Sequence, residues 1–227
     1  MLLRSITAAI ALAAIAAAPA KAAPTLSGLK PCFVAAREDQ REFVPVQGDG
    51  FTPLAHVSVF VDDILQDDSA VTTIDGSLSG WVKAPFPEVP QRTFVLRVTE
   101  QANTANTVSI TSMVTRLSVD QVPQQASTSV RVRFRGRGFT QPLPVYAHYV
   151  FAGKSRRTVE LGMPTAPCGV FSVKRKQFPF KKRPQVGVWT IQFDQEARYN
   201  PQAAVRVPLT VKVRRRIKPQ PARRSAS

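Results

Sequence analysis

Basic side chains recur at every second position of one short stretch, where Arg131, Arg133 and Arg135 alternate with Val132 and Phe134. Alternate residues of a β-strand point to the same side of a sheet and repeat about every 6.6 Å. Guanidinium groups at that pitch match the regularly spaced charges of a polyanion and would be attracted to it over a long range. The alternative is an ordinary solvated strand face, because such a face must be polar.

A second basic run lies further along the chain and is interleaved with Phe178 and Phe180. Its candidate polyanion-binding residues are Lys174, Arg175, Lys176, Lys181, Lys182 and Arg183. The partner we expect is an anionic polymer outside the cell: a teichoic-type phosphate, an acidic polysaccharide, anionic lipid head groups or extracellular nucleic acid. No motif for specific nucleic-acid readout accompanies the run. A solvated surface is again the alternative.

Residue types that perform catalysis are scarce. The chain has two histidines, His56 and His148, and two cysteines, which are too few and too scattered for zinc at ligand spacing. The histidines stand at similar places in the two halves, which favours a role in the fold. The segment 76–80 has Leu78 where a nucleophile elbow requires serine. We therefore expect a protein that is not an enzyme and holds no cofactor.

Acidic side chains cluster in the first half, at Asp62, Asp63, Asp67, Asp68 and Asp75. The segment lacks the loop glycine and the twelfth-position glutamate of an EF-hand, so a polar hairpin is favoured over a calcium site. A head-to-tail contact with the basic half of another molecule is a further alternative.

The elements that must position these side chains are strands. Apolar residues return at every second position in segments 57–61, 94–98, 107–110, 130–135 and 205–214. The 19 prolines and 11 glycines are spread along the chain and leave no room for a long helix. The pattern predicts an all-β protein of two tandem immunoglobulin-like antiparallel β-sandwiches.

A repeat supports that division. The segment 44–52 recurs as 132–140 with the same Gly-x-Gly-Phe-Thr pattern, at an offset of about 88 residues, the size of a whole small domain. We predict modules at residues 23–116 and 117–215 and a disordered basic tail at 216–227. The glycines are expected to form a bulge or positive-φ turn after which the phenylalanine closes the sandwich. A phosphate loop would need a helix next.

The residues 48–53, with valine strands on both sides, resemble the opening hairpin of IPT/TIG-type immunoglobulin-like repeats. Residues 132–190 resemble the same unit in uncharacterised secreted proteins of GC-rich Gram-positive bacteria. The resemblance implies an immunoglobulin-like fold and a role as a spacer, an adhesion module or an accessory domain.

Charge separates the two halves. The net charge is −4 over residues 24–116 and +18 over residues 117–227, within a total of +16. The basic half is therefore the one expected to contact an anionic partner.

The N-terminus has the order of a secretory signal peptide over residues 1–22: Arg4, an apolar run from 6 to 18, then small residues with cleavage after Ala20 or Ala22. The apolar run is shorter than the ~20 residues that span a bilayer. We expect a secreted protein, associated with the cell envelope and without a transmembrane segment after cleavage.

Cys32 and Cys168 lie in different copies of the repeat. Export makes a disulfide chemically possible, and such a bond would bridge the two modules. Two free thiols and an intermolecular bond are the alternatives. The function expected from the sequence is a secreted, non-catalytic cell-envelope binding or adhesion module whose basic second domain contacts an anionic polymer. The alternatives are a purely structural spacer or accessory surface protein without a polyanion ligand, and an enzyme of unrecognised class.

Overall fold

The computed structural model describes residues 23–215, which hold fifteen β-strands and no helix. This confirms the all-β prediction. The predicted signal peptide at 1–22 and the predicted basic tail at 216–227 lie outside the described residues. The N-terminal half contains β1 (Thr25–Ser27), β2 (Cys32–Ala35), β3 (Phe43–Asp49), β4 (His56–Val61), β5 (Ile64–Val71), β6 (Leu78–Lys83), β7 (Gln91–Glu100) and β8 (Thr107–Arg116). The C-terminal half contains β9 (Ser118–Val122), β10 (Arg131–Arg137), β11 (Val145–Phe151), β12 (Lys154–Gly162), β13 (Phe171–Lys176), β14 (Gly187–Asp194) and β15 (Arg206–Val213).

Each half builds one three-stranded sheet and one larger sheet. The N-terminal sheets have the orders β1-β3-β6 and β2-β8-β7-β4-β5, and the C-terminal sheets have the orders β9-β10-β13 and β12-β11-β14-β15. Over the described residues, the C-terminal order repeats the N-terminal one, except that no strand there corresponds to β2. That strand is also the exception to the predicted antiparallel pairing, because it crosses from β1 to the other sheet and pairs with β8 in parallel.

The buried apolar side chains form two clusters, one within residues 33–114 and one within residues 119–213. They come from alternate positions of the strands, such as Val57, Val59 and Val61 of β4. This alternation is what drives the sheets to pack face to face, since each strand has one apolar side to remove from water. The division into two immunoglobulin-like modules of IPT/TIG type stays a prediction.

The repeated Gly-x-Gly-Phe-Thr segment is a scaffold element. Gly50 and Gly138 have φ angles of 82° and 81°, in the left-handed region that favours glycine. The phenylalanines that follow, Phe51 and Phe139, are 1% and 2% exposed and close the ends of their clusters. The preceding Gly136 has no room for a side chain, because a Cβ there would overlap the ring of Phe171.

The threonine of each segment is held in the same way in both halves. The backbone N–H of Thr52 donates to Glu100 Oε1 at 2.6 Å, and the N–H of Thr140 donates to Gln195 Oε1 at 2.8 Å. A carboxylate in one half and an amide in the other thus satisfy the same backbone donor. The repeat therefore extends beyond the residues that make it visible in sequence.

The two halves are joined at two places. Only Leu117 lies between β8 and β9, and a disulfide joins Cys32 of β2 to Cys168, with 5.3 Å between their Cα atoms. Of the three states left open for the cysteines, the structure has the intramolecular bridge. Gly138 also packs at this junction, because a Cβ there would lie 2.9 Å from Leu117 Cα.

Candidate polyanion-binding surface

The outer side of the β9-β10-β13 sheet presents the first basic stretch. Arg131, Arg133 and Arg135 are exposed along β10, whereas Val132 and Phe134 between them are completely buried. The arginines are exposed because side chains alternate along a strand. The apolar residues of β10 pack into the second apolar cluster, so the arginines between them point to solvent. The strand residues therefore lie where the two-residue period puts them.

The neighbouring strand adds cations to the same face. In the antiparallel register of β10 and β13, Arg131 lies opposite Lys176 and Arg133 lies opposite Lys174. Both lysines are exposed. Side chains at directly opposed positions are about 5 Å apart at Cβ, and like charges placed so destabilise the strand pair. We call Arg131, Arg133, Arg135, Lys174 and Lys176 the arginine face.

Few carboxylates are near enough to neutralise this surface. Of the strand residues on the same side, Asp120 of β9 is acidic, and it lies opposite Arg135. Within the part of the chain that the structure describes, no ion pair joins any residue of the arginine face to an acid. Arg131 donates to the Lys174 carbonyl oxygen at 3.4 Å, a weak contact. The cations of the face are thus available to an external anion.

Arg175 does not join this face. It lies opposite the buried Val132 and is half-buried on the core side of the sheet edge, because it alternates with Lys174 and Lys176. Its charge acts there on Tyr149: burial raises the pKa of the Tyr149 hydroxyl, and the charges of Arg175 and Arg157 oppose that shift. Of the predicted polyanion-binding residues on β13, Arg175 is therefore the one that lies apart from the arginine face.

The remaining predicted cations, Lys181, Lys182 and Arg183, are exposed in the loop between β13 and β14. Phe178 and Phe180, which interleave with the basic run, are not a stacking platform. Phe178 is 2% exposed, and both rings pack against Trp189, at 5.4 Å between centroids. This aromatic packing anchors the loop and holds its basic end at the surface.

Those loop cations stand at the mouth of a groove of about 990 Å³, beside the last strand β15. Lys176 of the arginine face, Lys212 and Arg214 also line it, so the face and the groove form one basic surface. Lys212 was missed as a site residue by the sequence reasoning. The sequence did contain a signal for it, because Lys212 stands at an outward position of the alternating segment 205–214.

The acidic segment of the other half makes internal ion pairs. Asp62 and Asp63 form the turn between β4 and β5 with φ angles of 50° and 63°, which is the polar hairpin favoured from the sequence. Asp62 pairs with Arg92 at 2.6 Å and Asp63 pairs with Arg97 at 3.0 Å. In residues 23–215, no group of three or more His, Cys, Asp or Glu side chains is arranged to hold a metal ion.

The two histidines do not occupy equivalent places, which corrects the expectation from the sequence. His56 is exposed at the start of β4, whereas His148 is completely buried in the middle of β11. His148 Nε2 lies 3.0 Å from Asp194 Oδ1 and 3.0 Å from the Glu196 carbonyl oxygen, and both of these accept.

Since Nε2 of His148 faces two acceptors, it carries a proton, and Nδ1 meets the Thr158 hydroxyl at 2.8 Å. Asp194 is also bonded by the Gln192 side chain and by the Glu196 N–H. The polar side-chain atoms of this cluster all have hydrogen-bond partners within the protein. The two ionisable side chains, His148 and Asp194, are both fully buried. The cluster pins the segment after β14 over the sheet.

Comparisons with known proteins give little beyond this geometry. No protein-family model matches the chain, and no curated protein matches it in sequence. A solved structure that it resembles is SGBP-B of the mixed-linkage glucan utilization locus of Bacteroides ovatus, in complex with a mixed-linkage heptasaccharide. The identity is 12% and the TM-score 0.24, and the match covers 85% of this chain and 48%, about half, of that one. Over residues 23–215 the chain has no helix of the length and apolar character that crossing a membrane requires.

Proposed function

We propose that this protein is exported and works outside the cell as a non-catalytic module that holds an anionic polymer of the cell envelope against the arginine face. The observation that carries the proposal is the pairing of like charges, with Arg133 opposite Lys174 and Arg131 opposite Lys176. No internal carboxylate bonds to them within the described residues. A bound anion would remove the repulsion that the free protein carries.

The spacing of the face suits a linear ligand. The cations form two rows, one on each strand, about 4.8 Å apart and with a pitch of about 6.6 Å along each row. A chain of phosphates or carboxylates running between the rows would meet a cation on both sides. The guanidinium groups add bidentate hydrogen bonds to either anion, whereas the lysines contribute point charges.

Export is supported by two independent features. The disulfide between Cys32 and Cys168 is typical of an oxidising compartment, and the sequence predicts a signal peptide.

The net charge of +18 on the C-terminal half adds an electric field that attracts a polyanion. Salt screens this field over ~8 Å at physiological ionic strength.

The test is retention on two immobilised polymers, polyphosphate and polygalacturonate. A face variant replaces Arg131, Arg133, Arg135 and Lys174 with glutamine. A control variant of equal net charge replaces Arg37, Lys83, Lys154 and Arg198 with glutamine; these four residues are exposed and lie away from the arginine face.

We expect the face variant to elute at clearly lower salt than the wild type and the control variant to elute near the wild type. Equal losses in both variants would contradict a defined face, and no retention of the wild type would leave a structural spacer as the better account.

A further inference from the structure

The last strand, β15, has one open edge. It pairs with β14 over residues 206–213, and no other described segment pairs with it. The corresponding last strand of the N-terminal half, β8, has a second partner, because β2 lies beside it in parallel. Within residues 117–215, the C-terminal half thus has no strand where β2 covers the N-terminal half, and an open edge presents unpaired backbone donors and acceptors.

The chain that could have supplied the missing strand runs past without pairing. After β9, residues 123–130 form no strand, and residues 124–129 make no backbone hydrogen bond to β15. The groove of about 990 Å³ lies between this segment and residues 209–214. Leu209 and Val211 line it and are only half-buried, although they belong to the rim of the second cluster. Apolar surface and backbone groups therefore remain open together.

The floor of the groove holds an unsatisfied polar group. Gln177 is 1% exposed, and its Nε2 donates to Gln121 Oε1 at 3.0 Å. Its Oε1 is buried and has no hydrogen-bond partner within residues 23–215. A buried acceptor without a donor is costly. The wall of the groove is therefore packed with one polar atom left without a partner among the described residues.

The positive charges around the groove favour an acidic ligand. The described side chains that line it include no carboxylate, and its described cations are Lys176, Lys181, Lys182, Arg183, Lys212 and Arg214. The chain's own residues 216–227 carry basic charges and no acidic ones, so charge disfavours them as occupants. Bare polyanions would satisfy the cations and leave the apolar rim and the backbone edge unused.

We propose that this groove binds an extended acidic segment of a partner protein, which adds to the sheet as a strand beside β15. This goes beyond polymer binding at the arginine face. The β2 strand shows the pattern that such a segment needs: Phe33 and Ala35 point into the core at 1% and 0% exposure, and Val34 between them is half-exposed. The partner segment alternates apolar residues toward Leu209 and Val211 with acidic residues toward the cations. Pro208, which has no N–H, sets the limit of the open edge.

The experiment uses the full chain and a synthetic heptapeptide in which glutamate alternates with phenylalanine, alanine and valine. Two further versions carry N-methyl groups on the odd or on the even amides, with the charges unchanged. Since only one edge of a bound strand faces β15, we expect one methylated version to bind at least about tenfold more weakly and the other to bind like the parent. Amide hydrogen exchange should slow at alternate residues of 209–213.

Variants separate this site from the arginine face. Replacing Lys181, Lys182 and Lys212 with glutamine should weaken peptide binding, whereas the face variant should bind the peptide as the wild type does. Equal binding of all three peptides, equal losses in both methylated versions, or protection elsewhere than in β15 would overturn strand addition. Displacement by polyphosphate without any effect of methylation would make the groove a second polyanion site instead. None of these outcomes alters the test of the arginine face.

Discussion

Arg133 of β10 lies directly opposite Lys174 of β13 on the outer side of one sheet, and neither forms an ion pair with a described carboxylate. Such a pair weakens the strand contact that it sits on. The N-terminal half shows the usual solution, in which Asp62 and Asp63 pair with arginines. In the C-terminal half the repulsion between Arg133 and Lys174 is not neutralised by such an ion pair. This is the arrangement expected of a surface that binds an anion.

The first prediction concerns the stability that this repulsion costs. Lys174→Glu should raise the free energy of unfolding by about 0.2–1 kcal/mol, because it places an opposite charge across from Arg133, and it should lower retention on polyphosphate. Urea unfolding measures the first effect. Lys83→Glu is the control, since Lys83 lies opposite Phe43 and not a cation. A K174E protein less stable than the wild type would contradict the account.

Much of this face could be predicted from the sequence, because its basis is local. The two-residue period of residues 130–135 is enough to put three arginines on one side of a strand. The register that brings Lys174 opposite Arg133 is not local, since it depends on the long connection from β10 through β11 and β12 to β13. Arg175 lies on the core side because it alternates with Lys174 and Lys176 along β13, and the unbroken run of basic residues hid that alternation in the sequence.

The repeat could also be predicted from the sequence, because its signal is local. The places where the two halves differ could not. Gly-x-Gly-Phe-Thr specifies a turn and a buried ring within five residues. Tertiary packing makes β2 cross over and pair in parallel with β8, and a strand of four residues is too short to give a periodic signal. The same holds for the lack of a matching strand among the described residues of the other half. The groove beside β15 therefore could not be foreseen.

The second prediction tests the scaffold role of the repeated glycines. Gly136→Ala should lower the free energy of unfolding by about 1–3 kcal/mol, because the new Cβ would overlap the Phe171 ring. Gly80→Ala is the matched control, since a Cβ there meets nothing within 4 Å, and it should be neutral or slightly stabilising. Denaturant unfolding compares the two. Equal stabilities would show that the ring moves aside freely.

The third prediction tests the structural role of the buried His148. His148→Ala should lower the free energy of unfolding by at least about 2 kcal/mol, because it leaves a cavity in the interior and removes one hydrogen bond to the buried Asp194 carboxylate. His56→Ala, at an exposed position, should change stability by less than about 0.5 kcal/mol. Where the His148 variant remains folded, its polymer retention should equal that of the wild type. A selective loss of retention would show that the buried cluster shapes the binding surface.

The fourth prediction concerns the bridge between the halves. Thiol titration of the denatured, unreduced protein should find no reactive group, and prior reduction should expose those of Cys32 and Cys168. Replacing both with serine should lower the free energy of unfolding by about 2–4 kcal/mol, because the bond restrains the unfolded chain across a sequence separation of 136 residues. Two reactive thiols before reduction would contradict the intramolecular bond.

The central claim is that a defined row of cations binds a polyanion, and the salt dependence of binding tests it most directly. Affinity for polyphosphate should fall linearly with salt on logarithmic axes, with a slope set by the number of anionic contacts. The face variant, which lacks four cations, should show a slope smaller by roughly 3, at about 0.7 per contact to a flexible single chain. The equally charged control variant should keep the wild-type slope. Wild-type binding that does not respond to salt, or the same change of slope in both variants, would contradict the claim.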